Sequence, residues 1–290
     1  VGLVHTVGLI LHPQRDSKPA IDTITDWALL RRVTVLGLPD EVGRMPCDAV
    51  PVGAAELVDR AALMVSLGGD GTMLRSMRMV VGTATPVLGV NLGRLGFLAE
   101  IDVDELPDAL TAIDAHHYTA EPRMAVRTQL PGGETVTAFN DIALVRVPGD
   151  GSAAVAISVQ GHPFVRYAAD AVVVATPTGS TAYSFSAGGP IVSPTLEAII
   201  VVAAAAHSTF NRALALSADE GLSLELLASS GRLAVEVDGR VAGYLTAGDE
   251  LTITAVHSAA HVVRLGRTTF YQRARRKLQV NGSLELDGDG

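Results

Sequence analysis

Four short apolar runs punctuate the first third of the 290-residue chain: Val7-Gly-Leu-Ile-Leu11, Val33-Thr-Val-Leu-Gly-Leu38, Leu63-Met-Val-Ser-Leu67 and Pro86-Val-Leu-Gly-Val-Asn91. The stretches between and after them carry helical spacing. Ile21, Ile24, Ala28 and Leu29 recur within residues 17–31, Met73–Val80 reads as a helix, and Leu106, Leu110 and Ile113 share a face within 102–115. A strand with one wet face alternates apolar and polar residues. These runs do not, so both of their faces must be covered. Helices alternating with doubly covered strands require a parallel sheet with helices on each side, a doubly wound α/β domain over residues 1–115.

From about Tyr118 the texture changes. Met124–Leu130, Glu134–Val147, Ala153–Gln160, Ala171–Ala175, Leu222–Leu227, Leu233–Val237, Glu250–Val256 and Val262–Leu265 are short and rich in β-branched residues, and Gly132-Gly133 and Asp238-Gly239 mark turns. This predicts a β-rich second domain, residues 116–268, and a C-terminal segment, 269–290, packing back. Within that segment Thr269–Leu278 reads as a helix whose Arg273, Arg275, Arg276 and Lys277 form a solvated basic face.

The third apolar run enters a helix through Leu67-Gly-Gly-Asp-Gly-Thr-Met-Leu-Arg75. A strand that ends in glycines and opens a helix presents N–H groups at the positive end of the helix dipole, which is an anion site. Gly68, Gly69 and Gly71 let the backbone approach a phosphate. Thr72 can cap the helix or bond a phosphate oxygen, and Arg75, one turn on, can reach the same anion. Asp70 is the odd residue. Its charge repels phosphate unless it holds a metal ion or takes a proton from an attacking hydroxyl; a helix-capping Asp-Gly turn is the purely structural alternative. Neither a P-loop nor a G-x-G-x-x-G fingerprint occurs. Asn91-Leu-Gly-Arg-Leu-Gly-Phe97 follows the next run with another glycine-rich turn, so two such turns share one sheet edge, where open α/β sheets bind ligands.

A second constellation is Ala171-Val-Val-Val-Ala-Thr-Pro-Thr-Gly-Ser-Thr-Ala-Tyr-Ser-Phe-Ser-Ala-Gly-Gly-Pro190, in which an apolar strand meets seven hydroxyl-bearing residues and then Gly188-Gly189. Small hydroxyls with glycine suit close hydrogen bonding to a sugar or phosphate, and Tyr183 offers a flat face to a base. Asp170 and Asn140-Asp141 are polar residues in apolar surroundings. Buried carboxylates need partners, either a ligand or an internal hydrogen bond.

Charge and composition narrow the partners. The net charge is −9, and Lys18 and Lys277 are the only lysines. Nucleic acid and anionic membranes are therefore excluded as partners, and a phosphate site must use Arg, backbone N–H groups or a metal. The longest uncharged apolar run, Ala198–Ala206, is too short to cross a bilayer. With no basic stretch before an apolar one at the start, a cytoplasmic protein is expected. Cys47 is the lone cysteine, and the adjacent His116-His117 cannot share a helical face, so no protein-held metal site is expected.

In order along the chain, Gly68–Thr72, Asn91–Leu98, Asn140-Asp141, Thr176–Pro190 and Asp238-Gly239 resemble the NAD kinase family, most strongly over 63–99 and 165–200. Diacylglycerol and sphingosine kinases share the Gly-Gly-Asp-Gly element and phosphofructokinases have a related one. Thr-Pro-Thr-Gly-Ser-Thr-Ala-Tyr-Ser is far more specific. The resemblance implies an N-terminal α/β domain, a C-terminal β-sandwich-like domain and an active site in the cleft between them. It implies transfer of a phosphoryl group from ATP, or polyphosphate, to the 2′-hydroxyl of NAD's adenosine ribose, with Mg²⁺ bound with the nucleotide. Asp70 is then the proton acceptor. Gly68, Gly69, Thr72, Arg75, Gly188 and Gly189 serve the phosphates, Gly71 and Arg75 flank the acceptor and phosphates, and Phe97 lines the adenosine side. Asn140 and Asp141 hold ribose hydroxyls, while Asp170, Thr178, Thr181, Ala182, Tyr183, Ser184 and Ser186 surround the rest of NAD. Asp238 belongs to a pocket built by the later strands or by a neighbouring subunit, and a homodimer or homotetramer is implied. The chain departs from the family's usual pattern at Asp141, where Glu is commoner, at Ala171, Ala203–Ala206 and Arg240. A lipid kinase is opposed by Thr176–Ser186, and a non-catalytic dinucleotide sensor by the retained Asp70.

Overall fold

The computed structural model describes residues 4–93 and 96–280, and the chain divides into two compact units, Val1–Pro122 with Ala260–Gly290, and Arg123–Ala259. The first begins with β1 (Thr6–Leu11), α1 (Lys18–Arg31), β2 (Thr34–Gly37), α2 (Pro39–Val42), β3 (Val50–Pro51), α3 (Ala54–Arg60), β4 (Leu63–Gly68), α4 (Asp70–Met79), β5 (Pro86–Asn91), β6 (Ile101–Asp102) and α5 (Leu106–Asp114). The strands pair in parallel in the order β3–β2–β1–β4–β5. β6 and, beside Pro86 and Val87, His261 and Val262 add to β5. The chain runs from β1 outward to β2 and β3, then returns to lay β4 on β1's other side. That reversal makes the ends of β1 and β4 a topological switch point, where ligands of such sheets sit.

Every residue of β4 is buried, as an uninterrupted apolar run requires. Leu9, Leu11, Val65, Leu67, Leu88 and Val90 pack with Ile21, Ile24 and Trp27 of α1 and with Leu106, Leu110 and Ile113 of α5. Leu29 does not join them: it is 80% exposed. The buried stripe of α1 is Ala20, Ile21, Ile24, Trp27 and Ala28, and the residue after Ala28 turns about 100° further round the axis. The helix expected from Met73 begins three residues earlier, at Asp70, so the glycine-rich turn is itself the first turn of α4.

The second unit takes β7 (Thr119–Gln129) from Arg123 onward, then β8 (Thr135–Ala138), β9 (Asp141–Arg146), β10 (Ala153–Val159), β11 (His162–Ala169), β12 (Ala171–Ala175), α6 (Tyr183–Ser186), β13 (Ala198–Ala204), β14 (Leu214–Ser217), β15 (Leu222–Leu226), β16 (Leu233–Val237), β17 (Arg240–Leu245) and β18 (Glu250–Arg264) up to Ala259. One antiparallel sheet has the order β14–β13–β12–β9–β16–β17. In the other, β11, β10, β15 and β18 pair in turn. Ile142, Leu144, Val172, Val174 and Val235 of the first meet Val155, Ile157, Leu224, Leu251 and Ile253 of the second in one core. Two sheets enclosing alternate inward residues form the expected sandwich.

The single segment read over Glu134–Val147 is two strands broken at Phe139-Asn140, and the two read over Glu250–Leu265 are one 15-residue strand. Asp238 and Gly239, with φ of 47° and 74°, form the two-residue turn between β16 and β17, and both positive φ values explain the Asp-Gly pair. The last helix among the described residues, α7 (Phe270–Leu278), belongs to the first unit. Among the described residues no helix is long and apolar enough to cross a membrane.

Candidate active site

In the first unit the sequence-predicted residues gather at the ends of β1, β4 and β5. Gly69 is extended before α4 begins, and the amides of Thr72 and Met73 both bond its carbonyl oxygen at 3.0 Å. Asp70, the first residue of α4, turns its carboxylate onto the next glycine-rich turn. Its Oδ2 accepts the Phe97 amide at 3.0 Å and its Oδ1 the Leu98 amide at 3.1 Å. A Cβ on Gly96 would overlap that carboxylate, so the glycine is needed for Asp70 to lie there. Arg94 and Leu95 of the same turn lie outside the described residues.

Gly68 has a different reason from the one expected. A Cβ there would overlap Thr72 Oγ1. Thr72 is buried; its hydroxyl fills the space over Gly68. Gly71 has open space where a Cβ would stand. Phe97 is buried. Arg75 is held from behind: Nη1 lies 2.5 Å from Glu41 Oε1, and Nη2 donates to the Leu11 carbonyl at 2.8 Å. Glu41, itself buried, also accepts the Leu11 amide at 2.6 Å. A guanidinium has five N–H groups, so others remain for a ligand.

Three further basic side chains stand at this edge that sequence reasoning did not single out as site residues. Arg15 follows β1, and its Nη1 is buried without a hydrogen-bond partner among the described residues. A Cβ on Gly93 would come 2.7 Å from that nitrogen, and one on Gly69 3.9 Å. The guanidinium thus packs closely on Gly93 and lies near Gly69. His12 Nδ1 accepts the Gln14 and Arg15 amides at 3.1 Å and shapes the loop. Burial, then Arg15, Arg44 and Arg75, hold the His12 pKa below its ordinary value. Placement after the first parallel strand, on the same edge as Gly-Gly-Asp-Gly, was the available signal for Arg15.

The third is Lys277, and here the reading of α7 as a solvated basic face needs correction. Arg273 is 3% exposed, with Nη1 donating to Ala99 O and Glu100 Oε2 at 3.2 Å. Arg264 meets the same Glu100 oxygen at 2.8 Å. Lys277, one turn after Arg273, lies 3.7 Å from Asp70 Oδ2 and 4.8 Å from the centre of the Phe97 ring. A lysine therefore does stand beside Asp70. Helical spacing put Arg273 and Lys277 on one face; charge alone gave no sign that this face was the docked one.

In the second unit, Asn140 and Asp141 occupy the break before β9, and the turn residue Asp238 fastens them. Its carboxylate accepts the amides of Phe139 (3.3 Å), Asn140 (2.7 Å) and Asp141 (3.4 Å). Asp141 is buried and its pKa is pushed up to about 7 by burial and the Asp238 carboxylate; the Tyr183 backbone N–H, bonded to it, pulls the other way. Tyr183 lies over Ala143, Val173, Ala175, Ile200 and Val202. Burial, Glu236, Asp141 and Asp170 raise its phenol pKa.

Much of the hydroxyl-rich segment serves its own fold. Thr176 Oγ1 donates to Phe139 O, Ser180 Oγ pairs with the backbone of Val192, and Thr181 Oγ1 reaches Thr178 O. Thr178 and Ser184 are buried, while Thr181, Ala182 and Tyr183 are half-buried and Ser186 is exposed. A Cβ on Gly179 would overlap the Asn140 carbonyl, which packs this segment onto the Asn140-Asp141 break. The amides of Gly188, at φ 91°, and Gly189 close the end of α6 by donating to Phe185 O and Ser184 O. Asp170 is not buried as expected. It is the corner where the chain leaves β11 for β12, its side chain is 56% exposed, and it pairs with Arg146 at 2.6 Å. It stands at the opposite end of β12 from Asp141.

Residues 7–118 match the family model of the ATP-NAD kinase N-terminal domain, and residues 139–265 that of the ATP-NAD kinase C-terminal domain. NAD kinase 1 of Streptomyces coelicolor is 34% identical over 330 residues, covering 99% of this chain and 89% of that protein. The crystal structure of yeast NADH kinase complexed with NADH is similar at a TM-score of 0.84 and 26% identity, covering 98% of this chain and 90% of that one. An NAD kinase from Archaeoglobus fulgidus in complex with ATP is similar at a TM-score of 0.73 and 25% identity, over 96% of this chain and 100% of that one.

Proposed function

The chain belongs to the NAD kinase family, and from that premise we propose how its own residues carry out the phosphoryl transfer. The enzyme phosphorylates NAD to NADP, taking the phosphoryl group from ATP and placing it on the 2′-hydroxyl of the adenosine ribose. The lipid-kinase reading gives way because the match extends through the C-terminal domain, 139–265, and the sensor reading because the relatives are named kinases.

Asp70 accepts the proton of the attacking hydroxyl. The observation that carries this role is its carboxylate, fixed by the Phe97 and Leu98 amides at the start of α4. A base held in one geometry contributes roughly 10²–10⁴ in rate, and alignment and charge neutralisation supply the rest. The donor phosphates lie against the amides of Gly69 to Gly71, where the helix dipole and the bare Gly71 favour them, with Gly68 and Thr72 shaping the turn. Arg75 and Arg15 face the same phosphates. Phe97 lines the adenosine side. Asn140 and Asp141, positioned by Asp238, bond the ribose hydroxyls. Tyr183 stacks on a ring of NAD, with Thr181, Ala182 and Ser186 beside it, Thr178 and Ser184 supporting it from beneath, and Gly188 and Gly189 setting the end of α6. Asp170 contributes charge near Tyr183.

Among the described residues no group of three or more His, Cys, Asp or Glu side chains is gathered to hold a metal ion. Mg²⁺ would be carried on the nucleotide, keeping most of its water and needing few protein carboxylates. When bound it neutralises the phosphate oxygens. The same reading includes work in the cytoplasm, no nucleic-acid or membrane partner, and a homodimer or homotetramer; exposed Val241 and Tyr244 on β17 support a contact between copies.

The test is direct. Purified protein is incubated with Mg²⁺, NAD and either ATP or polyphosphate, and NADP is measured. Asp70→Asn should lower NADP formation by about 10²–10⁴ while calorimetry shows NAD binding retained. Undiminished turnover in that variant removes Asp70 as the base.

A further inference from the structure

One segment, Phe97–Glu100, contacts both Asp70 and α7. Its first two amides fix the Asp70 carboxylate. Its last two residues fix α7, through Ala99 O and Glu100 Oε2 on buried Arg273. Glu100 is anchored again by the Leu265 amide at 2.8 Å and by Arg264. Arg273 and Lys277 are one turn apart and share a helix face. The ammonium of Lys277 is therefore aimed at Asp70 by a rigid, buried connection, with Thr269 and Gln272 closing the start of α7 in a reciprocal cap.

The pair is close but unspent. At 3.7 Å the Nζ to Oδ2 separation exceeds a hydrogen bond, and Lys277 makes no hydrogen bond to a described residue. Its three donors are held over the Phe97 ring, 4.8 Å from its centre, next to the group that takes the proton. A hydroxyl within hydrogen-bond reach of Asp70 brings its phosphorus about 3–3.5 Å further on. A flexible four-carbon ammonium beside the base can reach the oxygens of a phosphoryl group at that point.

We propose that Lys277 contacts the transferring phosphoryl group and neutralises its oxygens between donor and acceptor. The proposal rests on the kinase reading above. The hydroxyl proton passes to Asp70, the ribose oxygen–phosphorus bond forms, and the phosphorus–oxygen bond to the departing diphosphate breaks, with its electron pair leaving on that diphosphate. Lys277 neither gives nor takes a proton in this step.

Two measurements test it. In the first, Lys277→Met should lower kcat about 10²-fold with KM for NAD little changed. Lys277→Arg should recover part of that loss, and ethylamine should restore turnover to Lys277→Ala where tetramethylammonium at equal ionic strength does not. In the second, which needs no turnover, the wild-type protein is acetylated with and without Mg²⁺ and inorganic tripolyphosphate, and both lysines are followed by mass spectrometry. Lys277 should be protected, and Lys18, paired with Asp22 on the surface, should not be. Wild-type protein that makes no NADP but shows protected Lys277 defeats the kinase reading and leaves the phosphate contact standing. An active enzyme whose Lys277→Met variant keeps full kcat, or whose Lys277 acetylates equally in both conditions, overturns the proposal.

Discussion

The sheet edge of the first unit and the strand break of the second treat charge in opposite ways. Around Asp70 stand backbone amides and Lys277, with Arg15 against Gly93 of the next turn; around Asp141 stand Asp238 and Glu236. The cause is backbone architecture. Parallel strands that feed helices end in N–H groups and a positive dipole, whereas an antiparallel sheet has little net dipole and offers mainly side chains. A donor-rich edge suits an anion, and an acceptor-rich one suits hydrogen-bond donors such as hydroxyls.

The sharpest way to break this contrast is to disturb the Asp70 carboxylate through its neighbouring glycine. Gly96→Ala drives a methyl group into the Asp70 carboxylate. The carboxylate is the free end of a side chain and can swing aside, so folding should be spared. Turnover should fall by about 10²-fold or more, since small misplacements of a reacting group cost that much. Steady-state kinetics beside a thermal melt checks it, and a Gly96→Ala enzyme with wild-type kcat would disconnect Asp70's position from its role.

Asp141 sharpens the contrast through pH. In the folded protein it holds its proton up to about 7, against 3.8 for an ordinary aspartate. The folded state therefore binds the extra proton between those values, and stability falls as pH rises through that window. The expected loss is roughly 2–4 kcal/mol. Asp141→Asn should flatten the stability profile between about pH 4 and about pH 7 in urea titrations; an unchanged slope would mean that Asp141 is solvated.

How far the sequence foretells this depends on whether a residue's neighbours are local. The strand-to-helix turn is legible because glycine, capping and dipole act within a few residues, and Thr176–Ser186 because its composition is unusual after a buried strand. Gly68 misleads, since its missing side chain makes room for Thr72 rather than for an anion. Leu29 looks like core because apolar spacing leaves the stripe's edge undefined. Arg273 and Lys277 look like surface because the carboxylates that claim them, Glu100 and Asp70, are more than 170 positions away. Asp170 looks buried because a corner between two sheets has no signature distinct from the strands it joins.

On the second unit's side, Gly179→Ala tests whether the hydroxyl-rich segment and the Asn140-Asp141 break form one piece. The added methyl meets a backbone carbonyl, which cannot swing away. Overpacking of this kind costs typically about 1–3 kcal/mol. The melting temperature should drop and the KM for NAD rise together, with KM for ATP unchanged. A rise in the ATP constant instead would remove the assignment of this segment to NAD.

The smallest effect belongs to the exposed counterpart of the Asp141 cluster. His257 also sits between two acids, Glu197 at 3.0 Å and Asp219 at 3.1 Å. Here the hydrogen bond to Glu197 leads, and the charges of Glu197 and Asp219 assist it, in raising the imidazole pKa above 6.5. A raised histidine stabilises the fold fully below its unfolded pKa and loses that contribution as pH climbs through the folded value. The group is open to solvent, so screening keeps the gain within about 1 kcal/mol. His257→Gln should lower the urea midpoint slightly at pH values below 6.5 and leave it unchanged in alkali, and salt should erase the difference. Asp141 should keep its pH dependence in the same salt, because its carboxyl group is buried away from the ions. If salt erased both alike, burial would not be what separates the two clusters.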